Sequence, residues 1–315
     1  MNRSADLDEL AKRLGAAAIR RAPLGSRTTY RVGGTAALGV EPADEDALLQ
    51  VARALVGLDV PVLVVGNGSN LLVADAGFAG LAVVLGAGFQ RLAFEGTEVR
   101  TGGAQALPTL ARRTAAAGLT GLEWAVGVPG TVGGAVRMNA GGHGSDTVTT
   151  LVGYRVVDLA SATVADHPVE DLAASYRHTS IAGDQVVVDA TFQLQFGDPA
   201  TGRSAIDEIV RWRRANQPGG ANAGSVFTNP PGDSAGRLID ACGAKGLRIG
   251  TAEVSSKHAN FIQADRGGSA DDVRRIMDRV RADVAIAFGV ELTTEVRLVG
   301  FDAEAESIST SGADT

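Results

Sequence analysis

The sequence predicts an α+β protein built from more than one domain, and three observations carry that expectation. From Pro61 to Phe196, short apolar runs alternate with glycine-rich turns, which is the pattern of strands. After a GDPATG break at 197–202, helical and strand-like segments mix again in a block that reads as a compact α+β unit. At 315 residues the chain is too long for one small core and suits two or three domains.

Taken in order, residues 1–20 read as an amphipathic helix with Leu7, Leu10, Ala11 and Leu14 on one face, its acidic residues early and its basic ones late. EDALLQVARAL predicts a helix over 44–55, and PVLVV at 61–65 a buried strand that enters GNGSN at 66–70. A helix follows near 107–117, with Pro108 early and Gly118 as its stop. The run GVPGTVGGAVRMNAGGHG at 127–144 reads as a glycine-dense loop, and strands are expected at 151–158 and 185–196. Beyond the break, Ser204 reads as a helix cap with Asp207 at the box position, ending near Arg214. A second helix covers 235–244, and a third runs from a Ser269 cap to a Gly289 stop. Strands at 259–264 and 291–299 complete the unit. The expected domains are therefore 1–85, 86–200 and 201–303, with 304–315 a small, polar, disordered tail.

Composition narrows the function. Lys and Arg number 29 against 36 Asp and Glu, a net charge of −7 that gives no overall pull towards nucleic acid or an anionic membrane. No apolar run approaches the ~20 residues that span a bilayer, and the N-terminus lacks a secretory apolar core, so a cytoplasmic protein is expected. The single cysteine, Cys242, excludes an internal disulfide framework and a multi-cysteine metal site. It reads as a small buried apolar residue, and no metal is expected.

The strand PVLVV followed by GNGSN invites a dinucleotide-binding reading, but that fold needs the glycine run to open into a helix. Here LLVADAG follows, which is strand-like. Gly66, Gly68 and the small Ser69 instead suit a nest of backbone N–H groups around a phosphate, with Asn67 and Asn70 able to bond the backbone or phosphate oxygens. The second loop adds Thr131 as a hydroxyl donor, and two such loops would suit a clamped pyrophosphate. Each serves equally well as a tight turn on the residues alone.

TTYRVGG at 28–34, VVGNGSNLL at 64–72 and GVPGTVGGAVRMNAG at 127–141 resemble the FAD-binding half of the UDP-N-acetylenolpyruvoylglucosamine reductase family. SYRHTS at 175–180, GSVFTNP at 224–230, KHANFI at 257–262 and TEVRLVG at 294–300 extend the resemblance over about residues 25–300. It implies a two-subdomain FAD-binding unit of the vanillyl-alcohol oxidase (PCMH) type plus a C-terminal α+β substrate-binding domain. It further implies non-covalent FAD, NADPH as hydride donor, and reduction of an enolpyruvyl ether on a UDP-linked amino sugar in peptidoglycan precursor synthesis. No nucleic acid, membrane or obligatory protein partner is expected. The implied FAD contacts are Gly66, Asn67, Gly68, Ser69 and Asn70 with Gly130, Thr131, Gly133 and Gly134.

On its own terms Arg177 is a planar fork able to hold a carboxylate, or a surface ion-pair partner. Ser225 follows Gly224 in a turn and lies outside any G-x-S-x-G elbow, so it is not a triad nucleophile. A weak acid suffices, however, for protonating a carbanion. The resemblance implies that Arg177 polarises the substrate carboxylate, that Ser225 donates the proton and that Glu295 partners the enolic intermediate. Asn229, Lys257 and His258 are implied for substrate binding, the last two as cationic contacts to the diphosphate. Thr228 and Asn216 depart from residues common in the family, which could shift diphosphate recognition to Arg213, Arg214, Lys257 or His258. Only 225 − 177 = 48 positions separate Arg177 from Ser225, which points to the shorter branch of the family, without the tyrosine-tipped loop. A flavin oxidase of the same superfamily and a non-catalytic nucleotide-sugar sensor are the rival readings. His143 and His167 are expected in exposed loops.

Overall fold

The computed structural model describes residues 3–301, so the tail expected at 304–315 lies outside the described residues. Seven helices are described: α1 Arg3–Leu14, α2 Glu45–Leu55, α3 Leu107–Ala116, α4 Val132–Met138, α5 Pro199–Asn216, α6 Ala235–Ala241 and α7 Ala270–Phe288. The chain divides into two compact units, one of Met1–Arg21, Leu38–Asn67 and Gly80–Ala215, the other of Ala22–Ala37, Gly68–Ala79 and Asn216–Thr315. This grouping differs from the linear one expected from composition. Two short N-terminal stretches join the C-terminal segment because their partners lie there, which no composition shift reveals.

The first unit is built on a five-stranded antiparallel sheet, ordered Thr163–Pro168, Leu151–Asp158, Gln185–Gln193, Glu98–Gly102, Leu92–Glu95. Both faces of Gln185–Gln193 are covered: Val186 and Val188 enter one buried cluster, Val187, Ala190 and Phe192 another. α3 packs Leu107, Leu110, Ala111 and Ala115 into the same core as Trp124, Leu151 and Phe192. Val62–Val65 pairs in parallel with Phe78–Val84, matching Val62 to Leu81 and Val65 to Val84, so its C-terminal end releases the chain at Gly66. α2 starts where Asp44 accepts from the Ala47 N–H at 2.9 Å. Glu45 then holds Arg155 at 2.8 Å, and that guanidinium keeps its carboxyl below the ordinary carboxylate value.

The second unit is dominated by α7. Val273, Ile276, Met277, Val280 and Val284 recur at three- and four-residue steps and are all at most 1% exposed. Each such side chain contributes about 1.5–3 kcal/mol by burial, so Ile276→Asp would break the unit. Ser269 caps the helix by accepting from the Asp272 N–H at 3.2 Å, and Gly289 ends it at φ +67. Around it lie α6, the three-stranded sheet Arg248–Ile249, Ala252–Val254, Ile262–Ala264, and the parallel pair Leu71–Val73 with Arg297–Val299. Cys242 packs half-buried at the margin of this core, its thiol pushed up by burial.

Several expectations shift. The glycine-dense stretch 127–144 is not all loop, since it contains α4. α5 begins five residues before Ser204, at Pro199, and Asp198 accepts from the Thr201 N–H and hydroxyl at 2.8 and 2.9 Å. GDPATG is thus a helix start, with proline at the first position where it costs nothing. Of the strand expected at 291–299 only Arg297–Val299 forms regular pairing. His167 lies in the strand Thr163–Pro168, stacked on Tyr154 at 5.3 Å, rather than in a loop. Among the described residues, no helix is long and apolar enough to cross a membrane and no metal-binding cluster occurs.

Candidate active site

In the first unit the two glycine loops meet. A Cβ on Gly66 would stand 2.4 Å from Thr131 Oγ1, and Asn67 Nδ2 donates to the Pro129 carbonyl at 3.1 Å. Gly66 is therefore glycine because Thr131 occupies the space of its side chain. Thr131 is 5% exposed and caps α4, accepting from the Gly134 N–H at 3.4 Å, while Val132, Ala135 and Val136 bury one face. That i, i+3, i+4 spacing after a threonine is the signal hidden by glycine density. The Val132 and Gly133 N–H groups donate to Gln105 and Gly103 carbonyls at 2.9 and 2.8 Å. Gly133 and Gly134 thus offer closeness rather than open donors, and the Gly130–Thr131 corner is what lies against Gly66.

From behind, Arg213 donates to the Gly127 carbonyl at the start of this loop, and burial lowers its affinity for the proton. His143 stands edge-on to Trp212 at 5.2 Å, with burial and the Arg213 charge holding the imidazole below its ordinary value.

Arg177 sits in a tight turn in which Ser175 and His178 exchange backbone bonds at 3.0 and 3.3 Å. Its φ is +58, a conformation that favours glycine and costs an ordinary residue about 1–2 kcal/mol. The guanidinium is half-buried, donates to the Gly141 carbonyl at 2.8 Å and lies over the exposed Tyr176 ring at 5.0 Å. Beneath the turn, Asn139 is 4% exposed and donates to the Ser175 carbonyl and Asp146 carboxylate, both at 3.2 Å. It also accepts from the Val148 N–H at 3.2 Å. Asn139 was not singled out from sequence, although an asparagine at a helix end is a known αL former, and its φ is +39.

The second unit receives the rest of GNGSN. Gly68 has φ +61, and a Cβ there would meet Thr28 Cα at 2.8 Å and the Arg27 carbonyl at 2.9 Å. The Thr29 N–H donates to the Gly68 carbonyl at 3.1 Å, which explains why TTYRVGG and GNGSN occur together. Ser69 is half-buried. Asn70 Nδ2 donates to the Glu295 carbonyl at 2.9 Å, tying this loop to the last of the implied catalytic residues. Ser225 follows Gly224, whose φ is +80 and whose N–H donates to Asn222 at 3.0 Å. Immediately after Ser225, the Val226 carbonyl accepts from the Glu295 N–H at 2.8 Å, and Phe227 bridges antiparallel to Thr294. The segments bearing Ser225 and Glu295 are therefore bonded to each other. Arg177 belongs to the first unit, Ser225 and Glu295 to the second.

Asn260, 3% exposed, accepts from the Phe227 N–H at 3.0 Å and donates to the Phe227 carbonyl at 2.8 Å. Nothing local in KHANFI marks this asparagine as buried. His258 Nδ1 accepts from the Asn260 N–H at 3.3 Å, and the ring stands edge-on to Phe261 at 4.8 Å. Burial, then the Lys245 charge, holds His258 below its ordinary value, so the ring is a neutral hydrogen-bonding group rather than a cation at pH 7. The Lys257 and His258 N–H groups both fold onto Ser255 Oγ, at 3.1 and 3.4 Å, leaving the Lys257 side chain exposed. Asn229 Oδ1 accepts from the Ala235 N–H at 3.1 Å at the start of α6.

A pyrophosphate needs backbone that it can approach without side chains in the way, and within the first unit the Gly66–Asn67 stretch beside the Gly130–Thr131 corner is backbone of that kind. These residues fit FAD, and Asn67 and Thr131 would hold it at its diphosphate. Residues 36–166 match the FAD binding domain model, and residues 216–299 match that of the UDP-N-acetylenolpyruvoylglucosamine reductase C-terminal domain. The chain is 43% identical over 290 residues to UDP-N-acetylenolpyruvoylglucosamine reductase 2 of Symbiobacterium thermophilum, covering 90% of this chain and 92% of that one. It is 41% identical over 285 residues to the Heliobacterium modesticaldum reductase, covering 90% of each. The crystal structure of the Thermus caldophilus reductase superposes with a TM-score of 0.78 at 33% identity, over 90% of this chain and 98% of that one. With its FAD-binding and C-terminal halves matched in order along nearly its whole length, this chain belongs to the UDP-N-acetylenolpyruvoylglucosamine reductase family.

Proposed function

We propose that this chain reduces UDP-N-acetylenolpyruvoylglucosamine to UDP-N-acetylmuramate at the expense of NADPH, in the cytoplasm, with FAD held non-covalently. The observation that carries this reading is the bonding of the Ser225 and Glu295 segments through Val226, which places a hydroxyl donor and a carboxylate on adjoining backbone. FAD, when bound, would supply hydride drawn from NADPH for the terminal vinyl carbon of the enolpyruvyl group. Hydride there leaves negative charge on the neighbouring carbon, spread into the substrate carboxylate. Arg177 holds that carboxylate with its planar fork, and Glu295 shares a hydrogen bond with the enolic oxygen. Ser225 donates its proton to the carbon and is reprotonated from solvent. Asn229, Lys257 and His258 bind the UDP portion, His258 as a neutral donor.

The family's shorter branch is also favoured. The 48 positions from Arg177 to Ser225 hold the strands Gln185–Gln193 and Gln195–Phe196 and then α5, and the stretch from there to Ser225 is nine residues, 217–225. A flavin oxidase would share the glycine loops but would have no use for a Ser225–Glu295 pair.

Ser225→Ala tests the reading. Flavin reduction by NADPH should stay near the parental rate, while reoxidation by the enolpyruvyl sugar should slow by about 10²–10⁴-fold, the share of a general acid. Ser225→Cys should recover part of the loss. Stopped-flow absorbance of the flavin separates the two steps, and parental reoxidation in the alanine variant would refute the assignment.

A further inference from the structure

We propose that Asn260 is a positioning residue for the proton donor: its carboxamide sets the backbone that presents Ser225. This rests on the reading of Ser225 given above. Val226 and Phe227, the two residues after Ser225, are 0% and 1% exposed, so their four backbone polar groups must find partners inside the protein. Asn260 supplies three of the four. Its backbone carbonyl accepts from the Val226 N–H at 2.9 Å. Its Oδ1 accepts from the Phe227 N–H at 3.0 Å, and its Nδ2 donates to the Phe227 carbonyl at 2.8 Å. The fourth group, the Val226 carbonyl, goes to Glu295.

The side chain therefore acts as a peptide unit, pairing with Phe227 as a neighbouring strand would. It does so where the Ser225 segment belongs to none of the regular sheets. A proton donor must be held within about 0.5 Å of its working position. A carboxamide is one of the few side chains that can bond an N–H and a C=O at once. The Asn260 N–H is itself fixed by His258 Nδ1 at 3.3 Å, which orients the residue from its other side.

Asn260→Asp gives the test a titratable form. Protonated, the new carboxyl can still accept from the Phe227 N–H and donate to the Phe227 carbonyl. Ionised, it faces that carbonyl with a second acceptor. Burial against a carbonyl raises a carboxyl pKa, so the change should fall within a workable range. In the flavin-loaded enzyme, reoxidation by the enolpyruvyl sugar should be near parental at low pH and fall ten-fold or more as pH rises. Reduction by NADPH should show no such extra dependence. Asn260→Ser serves if the aspartate variant does not fold. It should slow reoxidation ten-fold or more at every pH. It should also quicken hydrogen exchange of the Phe227 amide ten-fold or more without substrate, while the Val254 amide in the neighbouring sheet stays protected. Ser225→Ala is run beside them. If it reoxidises slowly while both Asn260 variants match the parent, Asn260 is only structural and the inference fails alone. If Ser225→Ala reoxidises at the parental rate, the reading of the site fails, and the inference with it.

Discussion

Gly66→Ala should cost stability through one named atom. The added methyl would stand 2.4 Å from Thr131 Oγ1, where ordinary contact begins at 3.4 Å, so the two must part by about 1 Å. Thr131 is 5% exposed and caps α4, and it cannot swing away without losing the Gly134 bond. Overpacking of this kind costs about 1–3 kcal/mol. Thr131→Ala alone should cost about 1 kcal/mol for the lost cap. In the double variant the nearest remaining atom is Thr131 Cβ at 3.5 Å, an ordinary contact, so the clash is gone. The pair should therefore cost little more than Thr131→Ala, a coupling of about 1–2 kcal/mol. Independent sites add within about 0.3–0.5 kcal/mol. Urea unfolding of the flavin-free chain, followed by fluorescence of the buried Trp124, keeps ligand binding out of the comparison. FAD content of the purified variants gives a second readout, lowest for Gly66→Ala alone. Strict additivity would mean that Thr131 is not the reason position 66 is glycine.

Gly68→Val adds a branched side chain at φ +61 against the Thr28 and Arg27 backbone. It should lose FAD and about 2–5 kcal/mol of stability together, the sum of left-handed strain and overpacking; normal flavin content in a folded variant refutes the cradle. Arg177→Gly should change the melting free energy by less than about 1 kcal/mol, because relief of the φ +58 strain offsets the bond to Gly141. Turnover should nevertheless fall at least 100-fold, and a stability loss above about 2 kcal/mol would mean the residue serves the fold. Burial holds folded His258 below its ordinary 6.5, so the unfolded chain takes up that proton first. The histidine's contribution is therefore full above about pH 7 and is lost as pH falls through 6.5 towards the folded value. Melting temperature against pH should show this dip in the parent and less of it in His258→Gln, and identical profiles would refute it.

Much of the fold was legible where local chemistry alone decides it. The Ser269 cap and the Gly289 stop of α7 stand where the sequence puts them, and a strand forms at Leu151–Asp158 as expected. Legibility failed where a local signal was masked or a distant partner intervened. α4 is hidden in a run whose glycines argue against helix, and is made by Thr131 together with bonds to Gly103 and Gln105. Glu295 was expected in a regular strand, yet its neighbours at 226–228 and its tether at Asn70 replace ladder pairing. The implied site residues rest on motifs and on the family resemblance, not on local pattern. Asn139 and Asn260, which hold the turns beneath Arg177 and Ser225, are visible only once burial and bond partners are known.

The parallel pairing of Leu71–Val73 with Arg297–Val299 has a consequence for biosynthesis. Leu71 leaves the ribosome 297 − 71 = 226 residues ahead of its register partner Arg297. At about 5–20 residues per second that is a wait of roughly 10–45 s. During it, Leu71, Leu72 and Val73, at most 9% exposed in the finished protein, have no strand to join. The nascent chain thus carries an adhesive apolar edge for most of its synthesis, and the GNGSN loop leading into it waits as well. Helper proteins that shield nascent chains should therefore matter more to the yield of this protein than its final stability suggests. Fusions or deletions near residue 299 should abolish soluble product even though the sequence of the first unit is untouched.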